Sequence, residues 1–344
     1  MTAESQSAPV ALDVFGGDAG PDVVLAGALQ ACDAQGSLRI DPARLILVGD
    51  RELVDAGLEK LGGDPGFGRL HATETIGMEE KPAVALRAKR DSTISVGTKA
   101  VRAGKAGAFV SMGNTGAVVG AGTLMLGTLP GVRRPAIAVT QELVGRPVTI
   151  LDMGANVSPK ASDLLAYGVM GSVLQSHVLD VATPRIGLLN IGEEPSKGTE
   201  VLQEAHALLT KSSLSFIGNV ESGDLFGGEV DVVVADGFTG NICLKLMESM
   251  AGFMMKLVMG ELKAQSVGGA DELLGNLRRR VDYSEYGGAL LLGVNGVVVI
   301  GHGRSDSNAV ANALGLATRA LDKEVNRDIV AGMEEVSGGE DPAS

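Results

Sequence analysis

Short polar turns carry the residues of this chain whose types and spacing could do chemistry. Asp13, Gly16, Gly17 and Asp18 make the first, and Asn114, Thr115 and Gly116 the second. Asp152 and Asn156 lie in a third, Asn190, Glu193 and Lys197 in a fourth, and Asp236, Gly237, Thr239, Gly240 and Asn241 in a fifth; His302 follows late in the chain. Adjacent glycines let backbone N–H groups come close to a ligand, while aspartates orient groups by hydrogen bonding. N–H groups exposed at a helix start beside Asn114 and Thr115 would cradle an anion, although the same residues also suit a capped tight turn. Lys197, between Ser196 and Gly198, is either the charge on that anion or a solvated lysine in a helix-starting turn. Gly, Asn, Asp and Thr with one or two cations suit the binding of a small oxyanion.

Other chemistries are absent as motifs. The chain has no G-x-S-x-G elbow, no G-x-x-x-x-G-K-[ST], no C-x-x-C and no H-E-x-x-H. Cys32 and Cys243 lack metal-ligand spacing and four scattered histidines add none, so no metal and no cofactor is expected. Cysteine usage fits a reduced, cytoplasmic compartment. A formal net charge of -13 argues against a duplex-binding surface, and 3% aromatics against stacking on single strands, so no nucleic acid is expected.

Each polar turn follows an apolar run. Val10 to Val14, Arg44 to Gly49, Ala108 to Ser111, Ala136 to Thr140, Val148 to Leu151, Ile186 to Leu189, Asp231 to Ala235 and a strand within Leu290 to Ile300 read as strands. Helices are expected over Asp22 to Cys32, Glu79 to Arg90, Ala117 to Leu126, Pro159 to about His177 and Ser307 to Leu321. The rhythm is α/β with a parallel sheet, in which turns at the carboxyl ends of strands converge on one crevice. Ala106 to Val132 is uncharged, but Ser111, Asn114 and its glycines favour strand, turn and helix over a membrane span. One elaborate domain is expected over 10–330, with loose tails at 1–9 and 333–344.

After Asn241 comes a methionine-rich helical run holding Met247, Met250, Met254, Met255 and Met259. Methionine adapts to varied shapes, so this face suits acyl chains or lipid, or else core and subunit packing. Arg278, Arg279 and Arg280 could sit on an anionic bilayer or an acidic protein, and the basic segment from Lys81 to Arg90 is either a solvated helix face or a dock for an acidic partner.

ALDVFGGDAGP, SMGNTG with GTLPGVRRPAIA, LDMGANVSPK, GLLNIGEEPSKGTE, FIGNVES, DVVVADGFTGN, and DYSEYGGALLLGVNG with GHGRSD occur in this order over about residues 10 to 321. Together they resemble the motifs of the PlsX phosphate acyltransferases. One departure is Val14-Phe15 before Gly-Gly-Asp, where that family has Ala-Met. The resemblance implies transfer of a fatty acyl group from acyl carrier protein to inorganic phosphate, giving acyl phosphate for phospholipid synthesis. It also implies a homodimer with a three-layer α/β/α sandwich like the isocitrate and isopropylmalate dehydrogenases, carrying a helical arm at about 242–282. A cytoplasmic protein with peripheral membrane contact through the methionine-rich arm is expected.

In that reaction Asn114, Thr115, Gly116 and Lys197 would hold phosphate, and Asn241 or turn N–H groups would stabilise the oxyanion. His302 would supply a proton to the departing thiolate, with Asp152, Asn156, Asn190 and Asp236 orienting these groups. The rival readings are a nicotinamide-dependent dehydrogenase of the related fold, which lacks a cofactor signature and an aspartate metal cluster here, and a non-catalytic membrane-surface scaffold.

Overall fold

The structure is a computed structural model that describes residues 8–143, 145–264, 275 and 287–338. In chain order the elements are β1 (Val10–Asp13), α1 (Pro21–Cys32), β2 (Leu45–Gly49), α2 (Arg51–Lys60), β3 (Gly68–His71), α3 (Pro82–Ala88), α4 (Thr93–Arg102), β4 (Ala108–Ser111) and α5 (Thr115–Ala121). Then come β5 (Ala136–Leu143), β6 (Arg146–Leu151), α6 (Ala161–Val173), β7 (Ile186–Leu189), α7 (Glu200–Lys211), β8 (Phe216–Val220), β9 (Val232–Val234) and α8 (Gly237–Ala264). The described chain closes with β10 (Ala289–Leu292), β11 (Val297–Ile300), α9 (Ser307–Asp322) and α10 (Val325–Ser337). The fold is mixed α/β.

Two compact units result where the sequence suggested one domain: residues up to 135 with those from 286 onward, and residues 136–285. In the first unit the strand order is β3-β2-β1-β4-β11-β10. Its neighbours run parallel except for the antiparallel pair β10 and β11. Ala108, Phe109 and Val110 in β4 are wholly buried, as a central strand covered on both faces requires. Helices α1 and α9 lie in close contact at Gly27, where a Cβ would come within 2.5 Å of the Val310 Cβ.

In the second unit the order is β5-β6-β9-β7-β8, with an antiparallel β5–β6 hairpin and the other pairs parallel. Leu151 of β6 and Leu188 of β7 both register on Val234 of β9, so the turns after these strands leave the same edge. At the opposite edge Arg185 binds Asp231 at 3.0 Å and Glu229 at 3.0 Å.

Several expectations need correction. The run Leu290 to Ile300 is two antiparallel strands, because Gly293 and Gly296 allow the chain to reverse between them. The helix expected from Glu79 to Arg90 is only Pro82–Ala88, since Pro82 takes the first helical position, and Thr93–Arg102 is a separate helix behind a Ser92 cap. Residues 333–337 are not loose: α10 runs through them and buries Met333. Pro9 is also tied down, its carbonyl accepting the Gly107 N–H at 2.8 Å. Arg278, Arg279, Arg280 and the arm beyond Ala264, residue 275 aside, lie outside the described residues. Among the described residues no helix is long and apolar enough to cross a membrane.

Candidate functional site

In the first unit, the turns after β1, β4 and β11 are joined by hydrogen bonds. Asp13, the last residue of β1, is wholly buried. Its Oδ1 accepts the Phe15 N–H at 3.1 Å, and its Oδ2 accepts the Ser111 hydroxyl at 2.8 Å. Ser111 Oγ accepts the Gly113 N–H in turn at 3.0 Å, and the Asp18 N–H donates to the Gly303 carbonyl at 2.7 Å. Gly16 sits inside this junction: a Cβ there would stand 2.6 Å from Asp13 Oδ2 and 2.9 Å from the Gly113 nitrogen. Gly17 faces Met112 and Gly303 with slightly more room. Burial pushes the Asp13 carboxyl above the ordinary carboxylate range, against the pull of its hydrogen bonds.

Asn114 is buried and engaged at both ends of its amide. Its Oδ1 accepts the Ala117 N–H at 3.0 Å as the cap of α5, and its Nδ2 faces the carbonyls of Gly77, Met78 and Glu80 at 3.2, 3.0 and 3.1 Å. The expectation that this side chain grips an anion is therefore corrected: it fastens α5 to the 77–80 loop. Thr115 and Gly116, in the first turn of α5, are exposed. His302 is half-buried, with Nδ1 accepting the Arg304 N–H at 3.1 Å. In the neutral ring that bond places the proton on Nε2, leaving a donor there.

In the second unit, Asp152 follows β6 and is wholly buried. Its Oδ1 accepts N–H groups of Ile137, Gly154 and Ala155 at 3.0, 3.1 and 2.9 Å. Its Oδ2 accepts Asn156 N at 2.7 Å and Asn156 Nδ2 at 3.3 Å, and that amide also donates to the Tyr167 hydroxyl at 3.0 Å. Burial raises the Asp152 carboxyl despite these donors. The Gly237 N–H donates to the Asn156 carbonyl at 2.8 Å, joining the turn after β9 to the turn after β6. At Gly240 any Cβ would collide with the Asp152 carbonyl.

Asp236 caps α8, with Oδ1 accepting Phe238 N and Thr239 N, each at 2.9 Å, and Oδ2 accepting Thr239 Oγ1 at 2.7 Å. Asn190 closes the turn after β7: its Nδ2 donates to the Lys197 carbonyl at 3.2 Å and its Oδ1 accepts the Ile191 N–H at 2.9 Å. Thus Asp152, Asn156, Asn190, Asp236 and Thr239 are engaged in building their turns. Lys197, Asn241 and Glu193 are exposed, with Lys197 Nζ 3.8 Å from Glu194 Oε2. That spacing in solvent is a weak ion pair, so the ammonium can turn to another anion.

Ser111 and Tyr167 escaped the sequence reading. Ser111 ends a buried apolar run beside a strand that ends in aspartate, a signal only if the pairing of β1 and β4 is already known. Of the basic segment, Lys89 is committed to Glu80 Oε1 at 2.6 Å and to the Thr75 carbonyl at 2.7 Å; Lys81, Arg87 and Arg90 are exposed. Among the described residues no group of three His, Cys, Asp or Glu could hold a metal.

Comparison with known proteins adds an independent line. Residues 8–328 match the family model described as fatty acid synthesis protein. The phosphate acyltransferase of Nitratidesulfovibrio vulgaris is 40% identical over 328 residues, covering 93% of each chain. That of Pelotomaculum thermopropionicum is 42% identical over 332 residues, covering 95% of each. A phosphotransacetylase from Streptococcus pyogenes superposes with a TM-score of 0.62 at 17% identity, covering 92% of this chain and 95% of that one. The EutD phosphotransacetylase from Staphylococcus aureus gives 0.59 at 14% identity, covering 91% and 94%. At such identities the structural likeness shows the fold.

Proposed function

The chain belongs to the fatty acid synthesis protein family and is an acyltransferase of the phosphate acyltransferase kind, and from that premise we propose that it moves a fatty acyl group from acyl carrier protein to inorganic phosphate. The observation that carries this reading is the division of labour in the turns. Their carboxylates and most of their amides are occupied in holding backbone, while Lys197, Asn241, Thr115 and Gly116 are exposed. Phosphate is already an anion at neutral pH, so it needs positioning and partial desolvation more than deprotonation. A covalent enzyme nucleophile is unnecessary.

In the proposed step a phosphate oxygen attacks the thioester carbonyl carbon, the carbonyl becomes an oxyanion, and its collapse breaks the carbon–sulfur bond. The thiolate leaves and takes the proton that the attacking hydrogen phosphate gives up. Lys197 and the N–H groups of Thr115 and Gly116 are assigned to phosphate contact, and Asn241 with turn N–H groups to the oxyanion. His302, with its donor on Nε2, is assigned to the thiolate. Asp13, Gly16, Gly17, Asp18, Asn114, Asp152, Asn156, Asn190, Asp236, Gly237, Thr239 and Gly240 hold the turns in shape, and Glu193 belongs to the Lys197 turn.

The reading carries further expectations: an acyl phosphate destined for phospholipid synthesis, a cytoplasmic homodimer, peripheral membrane contact, and the three-layer sandwich with its arm. Acyl carrier protein is acidic, so Lys81, Arg87, Arg90 and Arg278 to Arg280 are proposed as its dock, and rising salt should weaken the encounter. The direct test mixes the protein with palmitoyl-acyl carrier protein and phosphate and looks for acyl phosphate. Lys197→Ala should raise the KM for phosphate about tenfold, the loss of one charge-assisted contact; unchanged phosphate affinity and turnover would remove Lys197 from the site.

A further inference from the structure

Along α8 the second unit has an apolar groove of about 570 Å³, within the range of small-molecule sites. Cys243, Met247, Met250 and Met254 form its helical wall, and Leu225 and Phe226 lie across from them. Phe226 is 53%, Met250 51% and Met254 48% exposed, a large apolar surface to leave in water. Glu248, also in the wall, is turned to Lys245 at 2.9 Å.

The groove lies along the helix whose first turn belongs to the candidate site. Its near end, Cys243, stands less than two helical turns from Gly237, whose N–H is fastened to the Asn156 carbonyl in the turn after β6. A helix rises about 1.5 Å per residue, so along α8 Met247 lies about 15 Å and Met250 about 20 Å from Gly237. A carbon–carbon bond of about 1.5 Å at an angle of about 111° advances an extended chain by roughly 1.25 Å. Those distances correspond to about 12 and about 16 carbons.

Resting on the acyl-transfer reading above, we infer that the acyl chain of the thioester lies in this groove along α8, with Met247 and Met250 setting the length it accepts. The thioester end sits at the first turn of α8, and the methyl end of a palmitoyl chain meets Met250. Methionine suits this wall because its flexible thioether fills gaps around a chain that varies in length and bend.

Met247→Trp and Met250→Trp test the ruler, each assayed with octanoyl-, lauroyl- and palmitoyl-acyl carrier protein by trapping acyl phosphate. Expelling about two methylenes from an apolar site costs roughly tenfold in affinity. Met250→Trp should therefore lower kcat/KM for palmitoyl about tenfold and leave octanoyl within about twofold. Met247→Trp should lower both palmitoyl and lauroyl. In a second measurement on the unmutated protein labelled with methyl-¹³C methionine, the Met247 signal should shift with lauroyl and palmitoyl carriers and the Met250 signal with palmitoyl alone. An unchanged chain-length profile in both variants, or an equal loss for every length, overturns the inference while leaving the acyl-transfer reading standing. No acyl phosphate from the unmutated protein with any carrier overturns both.

Discussion

Asp13 and Asp152 stand at similar places in the two units, one ending β1 and the other just following β6, and both are wholly buried. They solve the problem of a buried carboxylate differently. Asp13 reaches sideways to the Ser111 hydroxyl of the neighbouring strand and joins two turns. Asp152 draws most of its N–H donors from its own turn and folds that turn around itself. A polar residue at a strand end can thus look like chemistry and serve as scaffold, and the exposed neighbours it positions are the better candidates for ligand contact.

The largest effect expected from this contrast is Asp152→Ala. It leaves several N–H groups without an acceptor in a closed turn, and unsatisfied groups of that kind cost enough to give a loss of about 3–5 kcal/mol. Urea unfolding would measure it. Asp13→Ala strands fewer donors and should cost about 2–3 kcal/mol; a loss equal to that of Asp152→Ala would erase the distinction between the two turns. Asn114→Ala removes the α5 cap and the tie to the 77–80 loop, for about 1–2 kcal/mol. Lys197→Ala, on the exposed side of the comparison, should change stability by less than about 0.5 kcal/mol while impairing phosphate binding.

Acid titration sharpens the same comparison. Burial holds the folded Asp13 carboxyl above its ordinary value of 3.8, so its contribution to stability is full below that value and falls as pH rises through the higher folded one. Asp13→Asn should remove that decline. Asp231 behaves oppositely: burial would raise it, but Arg185, then Arg146, outweigh burial and hold it low. Its contribution is present above 3.8 and is lost as pH falls through the lowered value. Unfolding midpoints of Asp13→Asn and Asp231→Asn from pH 3 to 7, roughly the window around a carboxylate, should therefore change in opposite directions.

Some elements were legible residue by residue. Ala108–Ser111 and Ile186–Leu189 appear where the sequence places them, because short aliphatic runs bounded by Gly and polar residues have few other places to go. The helix near Lys81 was overextended because its basic residues continue a helical pattern that Pro82 and the Ser92 cap divide. Direction was harder: β5 and β6 read as strands, but nothing in their composition says that they run antiparallel. The candidate site was legible as a set of turns and illegible as a set of roles, since Asn114 as a cap and Asn114 as an anion ligand have the same spelling.

The sequence by itself determined the α/β alternation, the polar turns that follow its strands, and, through ordered motifs, the family. Local pattern suffices there, because burial periodicity and glycine chemistry act over a few residues. The tertiary structure decided which polar groups are occupied. Asp13 finds Ser111 across 98 residues and Arg185 finds Asp231 across 46, and only those meetings separate a buried, satisfied scaffold from the exposed Lys197 and Asn241. Hydrogen bonds act at contact distance, and contact between residues so far apart in the chain exists only after folding.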